Sequence, residues 1–234
     1  MKFTVKDTLT EEEINSGLNS VIKDGLASQA MASLTGGVFL VAFALKLGAS
    51  NTVIGLLAAI PALFQLLQIP SIHLVERMES RKKISVFASI LSRLSWLLIA
   101  LIPFAFSLEA GLIVLLTAIA LNSSFAAVSN CSWNSWMRDL IPQDSLGSFF
   151  SRRMFLATVL GIVLSLGASF YIDYGKKLFP EHELYIYAVL FFLGCVAGMI
   201  GVYFISTIPE IHRETQKEKV PFLKLLLQPF KNTN

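Results

Sequence analysis

The sequence has 234 residues, of which 54% are apolar and 15% charged, with a formal charge of +3 and a mean hydropathy of +0.65. An average soluble domain carries roughly 25% charged residues, so this chain has more apolar surface than a soluble core can absorb. In a bilayer such surface faces lipid, and no basic cluster interleaved with aromatics suggests a nucleic-acid partner.

Residues 1–24 form an N-terminal arm. Asp7, Glu11, Glu12, Glu13, Lys23 and Asp24 interrupt it, so it is no secretory leader. Thr10 followed three residues later by Glu13 is a capping-box spacing, which predicts a short surface helix leading into the membrane. Six apolar runs follow, over 25–47, 51–75, 84–106, 110–132, 154–172 and 184–208. Each is near the ~20 residues a spanning helix needs. Lipid leaves unpaired backbone groups unsatisfied, so helices are the expected form, and barrel-type alternation is absent. The predicted fold class is therefore an all-α polytopic membrane protein with a six-helix domain over 25–208. The remainder, 209–234, is a polar tail that turns amphipathic at Val220–Leu227.

Small and special residues punctuate the runs. Gly36-Gly37 in the first, Gly161 and Gly167 in the fifth, and Gly194, Gly198 and Gly201 in the sixth suggest close helix contacts. Pro61, Pro70 and Pro103 are predicted kink points. Cys131 and Cys195 lie in apolar stretches, and His73, His182 and His212 are far apart. Neither set has disulfide or metal-ligand spacing, so no metal and no cofactor is expected.

Fifteen of the 19 basic residues fall in the arm, the second–third connection, the fourth–fifth connection and the tail. Lys46, Lys176 and Lys177 fall on the other side, and Arg93 lies inside the third run. The positive-inside rule then places both termini in the cytoplasm of a cell-membrane protein.

Polar residues inside the runs are the binding candidates. On the fourth run Asn122, Ala126, Ser129 and Trp133 recur on one helical face, flanked by Asn130 and Asn134. Gln29 and Ser33 share a face of the first run, and Gln65 lies in the second. These groups either bond neighbouring helices or line a wet cavity, and the fourth-run stripe as a unit favours the cavity. Arg93 sits about 15 Å into the membrane, ten residues beyond Lys83. Asp24 falls at the cytoplasmic edge and Glu109 near the outer edge, leaving Gln65 and Asn122 as its expected partners. Arg93 is then either a clamp onto amides and carbonyls or a contact for an anionic solute or an acid outside this domain.

The second–third connection reads Ile72-His73-Leu74-Val75-Glu76-Arg77-Met78-Glu79-Ser80-Arg81-Lys82. It resembles the cytoplasmic signature of the major facilitator superfamily, G-x-L-a-D-r-x-G-r-R/K. Glu76 stands for the family's Asp, Arg77 and Arg81 match basic positions, and Ile72 and Glu79 replace the two glycines. The fourth–fifth connection, Asp139-Leu140-Ile141-Pro142-Gln143-Asp144-Ser145-Leu146-Gly147, is similar to the family's acidic-x-x-Pro-x(4)-Gly element, with Arg152-Arg153 just beyond it. The resemblance implies one six-helix half, a 3+3 inverted repeat, of a two-half secondary transporter moving a small solute by alternating access. It implies that the first and fourth spans line the cavity and that the third is peripheral. It also implies that Glu76 with Arg77 and Arg81, Asp139 with Arg153, and the turn residues Pro142 and Gly147 form a cytoplasmic gate. The expected partners are membrane lipid, a small-molecule solute, and a second six-helix half or a second copy of the chain. The segment 209–234 would begin a linker between halves, Leu223–Phe230 resembling the lead-in to a seventh span. No nucleophile–base pair or phosphate-cradling loop is visible, so an enzyme is not expected. No carboxylate lies well inside any run, so a proton-carrying acid would belong to the other half. The alternatives are a non-transporting membrane interaction or assembly protein, or an unstable remnant of a twelve-span transporter.

Overall fold

The computed structural model describes residues 5–6, 8–78 and 80–211. The amphipathic stretch of the tail, Arg213, the side chain of Arg77 and Glu79 lie outside the described residues. Six helical units are long and apolar enough to cross a membrane: Glu11–Lys46, Asn51–Glu76, Arg81–Ala105, Leu108–Leu140, Leu146–Leu178 and Pro180–Thr207. They are the six spans predicted from the apolar runs, and the fold is all-α.

Helix starts follow the sequence. Thr10 and Glu13 close a full capping box, and helix α1 then runs unbroken over Glu11–Thr35. The arm helix and the first half of the first span are thus one element. Ser50, Ser80 and Ser107 cap the second, third and fourth spans, each hydroxyl accepting a backbone N–H three residues on at 3.2–3.4 Å.

Two spans are interrupted. Helix α2 covers Gly37–Lys46, and its first residue has φ +57°. Only glycine enters that left-handed region without steric cost, so Gly36-Gly37 breaks the first span. An added Cβ on Gly37 meets nothing within 4 Å, so this glycine serves conformation, not the close packing expected of it. The second span comprises α3 (Asn51–Phe64), a tighter 3-10 turn over Gln65–Leu67, and α4 (Gln68–Arg77). Pro61 and Pro70 bracket the turn. Pro70 has no N–H to give the Leu66 carbonyl, so the helix re-forms its bonds through the tighter turn. Pro103 falls in the last turn of α5 (Arg81–Ala105) and produces no break. The remaining helices are α6 (Leu108–Leu140), α7 (Leu146–Leu178) and α8 (Glu183–Thr207).

The third span packs on the fourth and sixth, the first on the fifth and sixth, and the second on the fourth. Exchanging spans one, two and three for four, five and six maps these five pairings onto one another, while a smaller contact of the fifth span with the sixth stands outside the set. That is the pattern of a 3+3 inverted repeat, since exchanged spans run in opposite directions. The third and sixth spans are the most enclosed, with 61% and 50% of their apolar windows buried against 6% for the second and 17% for the fifth. The third span is thus central to this unit, although family resemblance suggested the periphery.

Two apolar clusters fill the interior. One holds Phe43, Trp96, Ile99, Tyr187 and Phe191, and the other Val21, Val86, Trp136, Val202 and Ile208. Gly198 and Gly201 mark the level between them on α8. There a Cβ would stand 2.6 Å from Met31 Sδ and 2.8 Å from Arg93 Nη1 respectively. These glycines provide the close approach predicted for the sixth span, whereas Gly167 has open space around it. Strands β1 (Val5–Lys6) and β2 (Glu210–Ile211) pair in parallel, which joins the two ends of the described chain.

Candidate functional site

The polar centre of the bundle is built on the first, third and sixth spans. Arg93 is 6% exposed and Asp24 3% exposed. The guanidinium Nη2 stands 3.2 Å from Asp24 Oδ1 and 3.0 Å from Ser28 Oγ, while Nη1 donates to the Gly198 carbonyl. Ser28 Oγ also donates to Asp24 Oδ1 at 3.2 Å, one helical turn along α1. The side chain gets there by reach. Its own carbonyl is level with Cys195, 3.4 Å from the thiol sulfur, whereas its nitrogens lie beside Gly198 and Gly201. Three to six residues of helix amount to roughly 5–9 Å, so the charge sits well towards the Asp24 end of its span.

This corrects the expectation for Arg93. Its partner is Asp24, not Gln65 or Asn122. Asp24 is a buried carboxylate on α1, which begins at Glu11 and carries it thirteen residues along the helix. Gln65 is exposed in the 3-10 turn and pairs with Gln68. Asn122 donates to the carbonyl of Ser92 at 2.7 Å and to its hydroxyl at 3.0 Å.

The rest of the fourth-span stripe divides. Ser129 is buried and hydrogen-bonds Ser89 Oγ at 2.7 Å and the Ser85 carbonyl at 3.2 Å. Asn122 and Ser129 therefore seam the fourth span to the third, and only Asn130 and Asn134 are exposed. Trp133 is half-buried, its ring packed against Phe150 at 6.2 Å between centroids. The Arg153 guanidinium lies over that ring, 5.1 Å from its centroid. Arg153 belongs to α7. Its Nε donates to the Val21 carbonyl at 3.3 Å, and its Nη2 stands 3.9 Å from Asp24 Oδ2. The expected Asp139–Arg153 pairing is thus replaced by Asp24–Arg153.

Beside this cluster an open groove of about 440 Å³ runs between the first and fifth spans. Gln29 and Ser33 line it from α1, and Thr158, Gly161 and Ser165 from α7, with Ile162 and Leu166 as its apolar wall. The lack of a side chain at Gly161 admits Gln29, whose amide nitrogen would lie 2.7 Å from a Cβ there. Gln29 Nε2 donates to Ser33 Oγ at 3.3 Å. Hydroxyls and an amide thus form one stripe in otherwise apolar helices, and such a stripe can hydrogen-bond a polar solute in a medium that offers no other partner.

The connections rich in Arg and Lys meet at one end of the bundle. Arg81 pairs with Asp139 and donates to the Ser135 carbonyl at 3.1 Å, and Ser132 Oγ donates to the Arg81 carbonyl at 2.7 Å. Glu210 is 3% exposed and accepts from Ser80 Oγ and Arg81 N at 2.6 Å and from Lys82 N at 3.1 Å. It caps the start of the third span from beyond the end of the sixth, where negative charge is favoured. Trp136 Nε1 donates to the Pro209 carbonyl at 3.0 Å. Glu76, Pro142 and Gly147 are exposed. Arg81 therefore joins Asp139, not Glu76. At the opposite end Glu183 takes Lys46 at 2.8 Å and Lys176 at 3.8 Å.

Four contributors were missed from sequence: Asp24, Thr158, Ser165 and Glu210. Thr158, Gly161 and Ser165 repeat at three and four residues, the helical spacing that singled out Gln29 and Ser33. Asp24 and Ser28 share a face at i,i+4. Glu210 had only its position just past the last apolar run, which does not specify what it caps.

A family model described as the Major Facilitator Superfamily matches residues 25–234. No curated protein and no solved structure matches the chain.

Proposed function

The chain belongs to the Major Facilitator Superfamily, and from that premise we propose that its six-helix unit moves a small polar solute by alternating access. It is a multi-pass membrane transporter of that superfamily. The observation that carries the finer reading is the polar stripe of Gln29, Ser33, Thr158 and Ser165 along the seam of the first and fifth spans. A seam whose only task is packing does not need an amide and three hydroxyls facing one open groove.

In this reading Gln29, Ser33, Thr158 and Ser165 hydrogen-bond the solute. The Asp24–Arg93 pair holds the first span against the third and sixth, and Arg153 and Trp133 close the inner end. Arg81, Asp139 and Glu210 brace the end of the bundle that faces the cytoplasm of the cell membrane. A second six-helix unit, either another half or a second copy, covers the open faces. Asp24 is also the buried carboxylate available for coupling to a proton, in place of one supplied from elsewhere.

The test is a blocked groove. Thr158→Trp places an indole at an exposed groove position, away from the Asp24 cluster. In purified protein screened against polar solutes by thermal unfolding, a stabilising solute should lose its effect on this variant, while Ser148→Trp, outside the groove, keeps it. A solute that stabilises the Thr158→Trp protein as well as the parent would move the binding site elsewhere.

A further inference from the structure

We propose that Arg153 and Trp133 bind a carboxylate group of the transported solute just short of the first–fifth groove, whose lining starts at Gln29 and Thr158, five residues beyond Asp24 and Arg153; this rests on the transporter reading above. The first observation is charge. Asp24, Arg93 and Arg153 meet inside the bundle as one carboxylate and two guanidiniums. The two claims on Asp24 are unequal. Oδ1 is held by Arg93 and Ser28, each at 3.2 Å. Oδ2 stands 3.9 Å from Arg153, beyond hydrogen-bond length. One positive charge is left over, and its owner is Arg153.

The second observation is unsatisfied donors. Arg153 uses Nε on the Val21 carbonyl, but its Nη1 and Nη2 groups make no hydrogen bond among the described residues. Beside it the indole N–H of Trp133 is buried and has no acceptor among them either. A buried donor without an acceptor costs roughly 1–3 kcal/mol, so the Trp133 N–H calls for an acceptor that the described residues do not provide, and the partly exposed Arg153 Nη groups beside it can share that acceptor.

The third observation is access and fixity. The Arg153 side chain is 22% exposed, against 7% for Arg93. The guanidinium is held over the Trp133 ring, which packs in turn against Phe150 in a T-shaped contact. An added Cβ on Gly25 would collide with the guanidinium, so this glycine leaves room for it against α1. A planar fork whose Nη1 and Nη2 are free of hydrogen bonds among the described residues matches a carboxylate in two parallel bonds along that edge. One carboxylate also neutralises the one surplus charge. An acidic side chain of a partner helix carries the same chemistry as a free solute, and the experiment separates the two.

The experiment uses the full chain purified in neutral detergent at fixed ionic strength. Lactate, its neutral amide lactamide, glycerol and inorganic phosphate are titrated while tryptophan emission and the unfolding midpoint are read. Trp96 and Trp136 are 6% and 2% exposed, so a ligand-dependent emission change reports Trp133. Lactate should give a saturable change and raise the midpoint, and lactamide should do neither. Arg153→Gln should weaken lactate about tenfold or more, the size of a lost hydrogen bond to a charged group. Arg153→Lys should weaken it less, keeping the charge without the fork. Trp133→Phe should erase the emission signal and reduce the thermal effect, since it removes the indole N–H while leaving the Arg153 fork. Should Arg153→Gln not fold, the Lys and Phe variants decide by the same criteria.

The proposal is overturned if lactate and lactamide act alike, if phosphate alone binds, or if Arg153→Gln binds lactate as the parent does. It is equally overturned if the parent ignores lactate while Arg153→Gln changes the state of association, which assigns the carboxylate to a partner. Binding of neutral solutes independent of Arg153 overturns the carboxylate and leaves transport standing. A screen in which no solute of any charge binds overturns both.

Discussion

Asp24 has two guanidinium neighbours, and this makes the two halves of its ion pair unequal. Removing one partner of a buried pair costs about 3–5 kcal/mol, because the other charge is left uncompensated. Asp24→Asn leaves Arg93 and Arg153 facing each other with no anion, so it should incur that full cost. Arg93→Gln leaves Asp24 beside Arg153, already 3.9 Å away, and should cost about half as much. The double variant should unfold later than Asp24→Asn alone. Unfolding midpoints in detergent check the order, and an Arg93→Gln protein as weak as Asp24→Asn would mean that Arg153 does not share the carboxylate. The need for a buried partner was legible in the sequence, since a charge ten residues beyond Lys83 cannot stay unpaired in lipid. The partner's identity was not. Counting Cα depth ignored the reach of an arginine side chain, which carries the guanidinium back along the bundle to Asp24.

Within elements, the spans' existence and their serine caps follow from apolar length and local chemistry, and both were readable. The meaning of the glycines was not, because spacing alone does not separate a packing glycine from a conformational one. Gly37 and Gly198 are the contrasting cases. At Gly198 a Cβ would press on Met31 Sδ at 2.6 Å, and the φ angle is ordinary for a helix. At Gly37 the space is open and φ is +57°. Gly37→Ala should therefore cost about 1–2 kcal/mol through backbone strain alone, the left-handed penalty for an L-residue. Gly37→Asn should recover part of it, since asparagine tolerates this region better. A neutral Gly37→Ala would show that the first span is continuous at this point. The fourth-span stripe has a similar lesson. Ser85, Ser89 and Ser92 repeat at four and three residues on the third span, and they supply the hydrogen-bond partners that Asn122 and Ser129 take. A polar face on one helix signals a cavity only when no neighbouring helix offers a matching face.

At the scale of the molecule, the parallel pairing of Val5–Lys6 with Glu210–Ile211 puts both ends of the described chain at one end of the bundle. Six spans require that arrangement, and the pairing supports it independently of the span count. The same end carries the Arg81–Asp139 pair, Lys82, Lys83, Arg138 and Arg152. The opposite end has Lys46, Lys176 and Lys177 set against Glu109, Asp173, Glu181 and Glu183. Basic residues in short connections hold the cytoplasmic side far more strongly than acids influence either side. Both ends should therefore face the cytoplasm. Single cysteines test this in a background where Cys131 and Cys195 are replaced by serine and alanine. Asp144→Cys lies in the exposed fourth–fifth connection, and Ser107→Cys and Glu181→Cys are exposed at the other end. On intact cells a membrane-impermeant maleimide should label positions 107 and 181 and leave 144 unlabelled, and permeabilised cells should label all three. The reverse pattern would place the ends outside. Labelling of all three on intact cells would mean that the chain inserts both ways, in which case the Arg and Lys asymmetry belongs to the gate and to the Asp24–Arg153 cluster more than to topology.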